Sequence, residues 1–146
     1  MNQGSLFGAP PGGCAVANID GGSRGNPGPA AYGVRIERED GSVVELKEAF
    51  GVATNNVAEY RGLLAALTWA TGHGIERLLV RSDSQLLVKQ MSGEYRVKHP
   101  GLQPLWTQAR NMVRNLREVR FEHVSRELNR DADRLANEAM DEAQTA

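Results

Sequence analysis

Four carboxylates stand where the chain changes from one element to the next. Asp20 follows Cys14-Ala15-Val16-Ala17-Asn18-Ile19, a short, largely apolar run of the kind that lies mid-sheet. Asp83 follows a second such run, Leu78-Leu79-Val80, within Ser82-Asp83-Ser84. Glu59 falls in the first turn of a helix opened by Asn56, and Asp133 in the first turn of the last helix. A carboxylate at the end of a buried strand is costly unless it meets a cation, a ring of donors, or both. If the four converge they form an all-oxygen cluster suited to hard divalent ions such as Mg²⁺ or Mn²⁺. Without an ion they repel, and at least one carboxyl holds its proton. Each also has a local explanation. Asp20 can form an Asx-turn, Glu59 can complete a capping box with Asn56, and Asp83 can cap a helix. Asp133 can pair with Arg130 or Asn137 on its own helix, for about 0.2–0.5 kcal/mol. All four local explanations would have to coincide at one end of a sheet, and that coincidence is improbable.

The elements that must position these groups follow from periodicity. A first strand spans about 14–21 and runs into the stretch Gly21-Gly22-Ser23-Arg24-Gly25-Asn26-Pro27-Gly28-Pro29, whose glycines allow tight turning and close approach of a large ligand. From Ala31 to Glu39, Tyr32, Val34 and Ile36 alternate with Arg35 and Glu37; Asp40-Gly41 marks a hairpin, and Ser42 to Phe50 returns. Thr54-Asn55-Asn56 opens a helix carrying Val57, Tyr60, Leu63, Leu64, Leu67 and Ala70, stopped by Gly72 and Gly74. After the strand at Leu78 come a short helix (Gln85 to Met91), a polar connection (Ser92 to Pro100), a helix over 102–117, a strand from Val119 to Val124 and a final helix from near Arg130. Three antiparallel strands followed by alternating helices and strands predict an α/β fold with a five-stranded mixed sheet. Right-handed crossovers give the strand order 3-2-1-4-5. Asp20 and Asp83 then end neighbouring parallel strands, where open α/β sheets place their sites.

The 146 residues are enough for one domain with one core: a tail over 1–13, rich in Gly and Pro, and a folded unit over 14–143. No apolar run approaches the ~20 residues of a membrane span, and no signal peptide is visible. One cysteine, Cys14, cannot make an internal disulfide, which fits a reducing cytoplasm; its apolar strand places it in the core. The formal net charge of −1 means that any nucleic-acid binding must use local groups and metal ions rather than a basic field. Trp69 and Trp106 lie on apolar helix faces and read as core, and His73 as a helix-end residue. Arg110, Arg114 and Arg117 form a stripe that reads as a solvated face.

Asp20-Gly21-Gly22-Ser23-Arg24-Gly25-Asn26-Pro27-Gly28-Pro29-Ala30-Ala31-Tyr32-Gly33 closely resembles the first motif of type 1 ribonuclease H. Thr54-Asn55-Asn56-Val57-Ala58-Glu59 is similar to its second motif, Ser82-Asp83-Ser84-Gln85 to its third and Asn129-Arg130-Asp131-Ala132-Asp133-Arg134-Leu135-Ala136-Asn137 to its fourth, in the family's order. The resemblance implies that Asp20, Glu59, Asp83 and Asp133 ligate two Mg²⁺ (or Mn²⁺) ions. These would serve hydrolysis of the RNA strand of an RNA–DNA hybrid to 5′-phosphate and 3′-hydroxyl ends. Asp20, deepest in the sheet, is the expected bridging ligand. By the same resemblance Asn26, Asn55 and Gln85, with Ser23 and Gly25 through backbone groups, contact the RNA strand, where the 2′-OH distinguishes RNA from DNA. Thr54 and Asn56, at a helix N-terminus, suit a phosphate of the DNA strand as well as plain capping. The expected protein acts as a monomer without an obligatory protein partner or a membrane.

Two departures matter. The loop histidine carried by many members is missing from Val124-Ser125-Arg126-Glu127-Leu128-Asn129; His123 belongs to the preceding strand, pointing away, and Arg126 is the candidate replacement. The alternative for Arg126 is a surface ion pair with Glu127 or Asp131. Ser92 to Gly101 is also too short for the basic protrusion of some members. Two alternatives stand beside the hybrid nuclease: a nuclease of the same fold with broader range, such as double-stranded RNA, and a non-catalytic nucleic-acid-binding module. Binding alone would have no need of four clustered carboxylates, which counts against the module.

Overall fold

The computed structural model describes residues 13–145, so the predicted tail lies outside the described residues except for Gly13. Alternation along β1 (Cys14–Ser23) turns Ala15, Ala17 and Ile19 into the core and the residues between them to the other face. β2 (Gly28–Arg38) pairs with β1 antiparallel, and β3 (Val43–Ala53) pairs with β2. The hairpin between them closes as Asp40-Gly41 predicts: the Ser42 backbone N–H and hydroxyl both donate to Asp40 Oδ1 (2.9 and 2.6 Å), and Gly41 takes a φ of +87°. α1 (Asn55–Gly72) follows, then β4 (Arg77–Ser82), α2 (Gln85–Met91), α3 (Gln103–Val113), β5 (Glu118–His123), a 3₁₀ turn (Arg126–Asn129) and α4 (Arg130–Thr145). The sheet order is β3-β2-β1-β4-β5, with β4 parallel to both β1 and β5, as expected from right-handed crossovers.

The main core lies between α1 and the sheet, where Leu63, Leu67 and Ala70 meet Ile19, Val34, Ile36 and Val80. α4 packs over β2 and β3, its Ala139 and Met140 against Ala31. Ion pairs from Arg134 to Glu45 (2.6 Å) and from Lys47 to Glu142 (2.7 Å) fasten its exposed side. Solvated pairs of this kind contribute little individually, so the alanine-rich packing seats the helix.

Several local expectations are corrected. β1 continues to Ser23, because its pairing with β2 persists through the glycines as far as Ser23↔Ala30. α3 stops at Val113 instead of reaching 117. Cys14 is exposed: alternation turns it, with Val16 and Asn18, to the face of β1 opposite the α1 core. Trp69 and Trp106 pack against the core as expected, and His73 is the C-cap of α1. Among the described residues no helix is long and apolar enough to cross a membrane.

Candidate active site

The parallel ladder between β1 and β4 ends at Ile19↔Ser82, so Asp20 and Asp83 are the first residues past it on adjacent strands. Ser82 stays tied down beyond that point: its carbonyl accepts from Val124 N (3.0 Å) and its hydroxyl from Ser84 N (3.0 Å). Ser84, not Asp83, caps α2 by accepting from Leu87 N (3.2 Å), which leaves the Asp83 carboxylate unused by the helix.

Glu59 arrives from the α1 side. Thr54, not Asn56, caps that helix by accepting from Val57 N (3.2 Å), and the first turn holds no acidic residue. The capping-box reading of Glu59 therefore fails, and Glu59 sits beyond the first turn. Gly21 brings it close to Asp20. A Cβ at Gly21 would strike the Ala58 carbonyl and stand 2.5 Å from Glu59 N, so the glycine makes room for the helix rather than for a ligand. Asp133 arrives from the opposite side by the same device. Gly33, which pairs with Asp20, lets α4 down onto the sheet, and a Cβ there would meet Ala132 O and sit 2.6 Å from Ala136 N. Buried Asn129 fixes the start of α4, donating from Nδ2 to Ile19 O (2.8 Å). Sequence reasoning missed Gly33 and Asn129 as positioning groups, because their partners lie far away in the chain.

Carboxylate oxygens of Asp20, Glu59 and Asp83 lie within 4.8 Å of one another. Asp133 joins through a hydrogen bond between its carboxyl and that of Asp20. Burial pushes the Asp20 carboxyl up to about 8, reinforced by the charge of Asp83, the bond to Asp133 and the charges of Asp133 and Glu59. Burial likewise pushes Glu59 up to about 7, opposed by a hydrogen bond from Ser84 and reinforced by Asp83. Asp83 is raised by burial, with the charges of Arg126 and His123 pulling the other way and that of Asp133 adding to the rise. The donor set, all oxygen and half-buried, with the Asp20 and Glu59 carboxyls raised by burial and neighbouring charge, fits a hard divalent cation.

Two basic groups flank the cluster. Arg126 Nε stands 4.0 Å from Asp83 Oδ2 with its side chain 86% exposed, so it faces the carboxylates rather than Glu127 or Asp131. His123 is in β5 as predicted but does not point away: it lines the same cleft, of about 740 Å³, as the four carboxylates and Arg126. Its place follows from the register: His123 pairs with Ser82 and shares strand parity with Val119 and Phe121, which pack against the main core.

The predicted substrate residues divide. Ser23, Asn55 and Asn56 line the cleft, whereas Gly25, Asn26, Thr54 and Gln85 do not. Asn55 Oδ1 accepts from Ser23 N (2.8 Å) and Ser23 Oγ (3.2 Å), and Asn55 N donates to Asn26 Oδ1 (3.1 Å). The side-chain oxygens of both asparagines are thus engaged in joining the glycine loop to α1. Exposed Gln85 is the first residue of α2, just past Ser84.

The raised carboxyl groups give a signed prediction. In the unfolded chain Asp20 and Glu59 titrate near 3.8 and 4.5; in the folded protein they hold their protons to about 8 and 7. Between those limits the unfolded state has lost protons that the native state keeps, so the metal-free protein loses stability as pH rises. Its melting temperature in EDTA is expected to fall from about pH 5 to about pH 9, and Asp20→Asn to raise it at the upper end. Thermal melts check both. A lower melting temperature for Asp20→Asn at the upper pH would contradict the repulsion.

The family model described as "Reverse transcriptase-like" matches residues 18–139. A bifunctional protein of Mycobacterium tuberculosis is 52% identical over 130 residues, covering 88% of this chain and 36% of that protein. The chain thus spans about a third of the length of these mycobacterial relatives. The N-terminal RNase H domain of that protein, solved as a fusion with maltose-binding protein, superposes with a TM-score of 0.86 at 51% identity, covering 90% of this chain and 96% of the other. Ribonuclease HI of Halobacterium salinarum is 44% identical over 133 residues, covering 90% of this chain and 67% of that protein. LC11-RNase H1, solved in complex with an RNA/DNA hybrid, superposes with a TM-score of 0.83 at 39% identity, covering 89% of this chain and 99% of the other.

Proposed function

Given that the chain belongs to the ribonuclease H family, we propose that it is a metal-dependent endoribonuclease that hydrolyses the RNA strand of RNA–DNA hybrids. The observation that carries this reading is the meeting of Asp20, Glu59, Asp83 and Asp133 from three sides of one cleft, with the Asp20 and Asp133 carboxyls in contact. A binding surface for a polyanion gains nothing from four such groups, whereas a site for divalent ions requires them. LC11-RNase H1, with its bound RNA/DNA hybrid, supports the choice of substrate.

Two bound Mg²⁺ or Mn²⁺ ions would supply an activated water on one side of the scissile phosphate and charge stabilisation of the leaving 3′-oxygen on the other. The water oxygen bonds to phosphorus as the P–O3′ bond breaks and the 3′-oxygen takes a proton, leaving 5′-phosphate and 3′-hydroxyl ends. The chain's own residues have distinct tasks. Asp20, in the central strand and touching Asp133, would hold the ions together with Glu59, Asp83 and Asp133. Arg126 stands over Asp83 where other members carry a histidine, and is our candidate for steering the phosphate or water; His123 is its neighbour in the cleft. Ser23, Gly25, Asn26, Asn55 and Gln85 are assigned to the RNA strand, and Thr54 and Asn56 to a DNA phosphate near the N-terminus of α1. The ribonuclease unit is assigned to residues 14–143 and acts as a monomer, since one chain supplies all four carboxylates.

One gel tests the proposal: labelled hybrid, duplex RNA and duplex DNA, each with Mg²⁺, Mn²⁺ or EDTA. Cleavage of the RNA in the hybrid with metal, and none in EDTA, is the expected result. Equal cutting of duplex RNA would favour the broader nuclease, and no cutting under any condition would favour a binding module.

A further inference from the structure

We propose that Arg24 is a positioning residue for Asp133, acting through Asn137 and thereby joining the glycine loop to the carboxylate cluster. The inference rests on the reading above, in which Asp133 holds metal. Arg24 belongs to the loop after β1 and reaches across to α4 with its side chain only 35% exposed. Its guanidinium meets three acceptors there: Asp141 Oδ1 (2.8 Å), Gln144 Oε1 (2.9 Å) and Asn137 Oδ1 (3.4 Å). These residues follow one another at helical intervals of four and three, so they present one face. A planar fork of donors suits three acceptors at once, and the single ammonium of a lysine does not.

The consequence lies in the Asn137 amide. Arginine only donates, so Arg24 selects the rotamer in which Asn137 turns its oxygen outward and its NH₂ inward. That NH₂ donates to Asp133 O (3.0 Å) and to Asp133 Oδ1 (3.4 Å). Without Arg24 the amide is free to flip and present an oxygen to a carboxylate, the wrong sign for orienting it. The loop end is equally fixed: Arg24 N donates to Pro29 O (2.8 Å), and a Cβ at Gly28 would collide with the Arg24 carbonyl. The loop assigned to the RNA strand and one carboxylate of the cluster therefore share a single arginine.

Partners that orient metal-binding groups are typically worth about 10-fold or more in metal affinity. Calorimetric titration of the metal-free protein with Mn²⁺ is expected to show about 10-fold weaker binding for Arg24→Lys and for Asn137→Ala. The double variant should bind no more weakly than the worse single one, because both changes interrupt one path. In ¹⁵N–¹H spectra the side-chain NH₂ signals of Asn137 should shift in Arg24→Lys while the melting temperature stays near wild type. Unchanged Mn²⁺ affinity in Asn137→Ala, or losses that add in the double variant, would overturn the relay. Asp133→Asn separates the two levels: if it leaves Mn²⁺ binding intact, the metal role of Asp133 itself is wrong. If it weakens binding while Asn137→Ala does not, only the relay is wrong.

Discussion

Asp83→Asn is expected to lower hybrid cleavage by about 10³-fold while hybrid binding stays measurable, since a metal ligand contributes several kcal/mol of transition-state stabilisation at 1.36 kcal/mol per decade. The substitution keeps the shape of the side chain and removes its charge. Nothing in the fold depends on that charge: Ser84 caps α2, and the Asp83 carboxylate takes no part in the cap. What changes is the electrostatics of the cluster, where Asp83 is the foremost charge raising Glu59 and, after burial, Asp20. The variant should therefore fold and bind hybrid, yet hold divalent ions poorly. Single-turnover cleavage beside a filter-binding or anisotropy titration with the same hybrid separates the two effects. Cutting at the wild-type rate would remove Asp83 from the metal site.

The positions of Asp20 and Asp83 were legible because strand length and crossover handedness are local or nearly universal properties. Short apolar runs over 14–19 and 78–80 end where the carboxylates begin, and the crossover rule makes those strands neighbours. The approach of Glu59 and Asp133 was legible only through the family resemblance. Their distance to Asp20 depends on how deeply two helices settle on the sheet, and that depth is controlled by missing side chains at Gly21 and Gly33. One of these glycines reads as part of a loop and the other as an unremarkable strand residue; neither carries a periodic signal. The place of His123 depends on the register that sets it opposite Ser82, a pairing between strands that the sequence does not spell out. Cys14 reads as core because an apolar run does not reveal which of its residues alternation turns away from the covering helix. The Arg24–Asn137 contact spans 113 residues and involves two polar types that are ordinary surface residues, so no pattern announces it.

Gly21→Ala is expected to be the most damaging single-methyl change near the site, impairing stability and cleavage together. The added Cβ would be driven into the Ala58 carbonyl and stand 2.5 Å from Glu59 N, both main-chain atoms of an 18-residue helix that cannot step aside individually. Either α1 rises from β1 or the strand twists, and overpacking of this kind costs about 1–3 kcal/mol. At about 2–4 °C per kcal/mol for a chain of this size, the melting temperature should fall by roughly 2–12 °C. Glu59 travels with the helix, and a displacement near 1 Å at a reacting centre can cost about 10²-fold in rate. Gly22→Ala is the stability control from the neighbouring position, since its Cβ would meet only Asn55 Oδ1 at an ordinary 3.7 Å. Melting curves of the two variants in EDTA, with cleavage by Gly21→Ala in Mg²⁺, measure both effects. Were Gly21→Ala to melt like wild type and cleave at full rate, close seating of α1 on β1 could not be what brings Glu59 to Asp20.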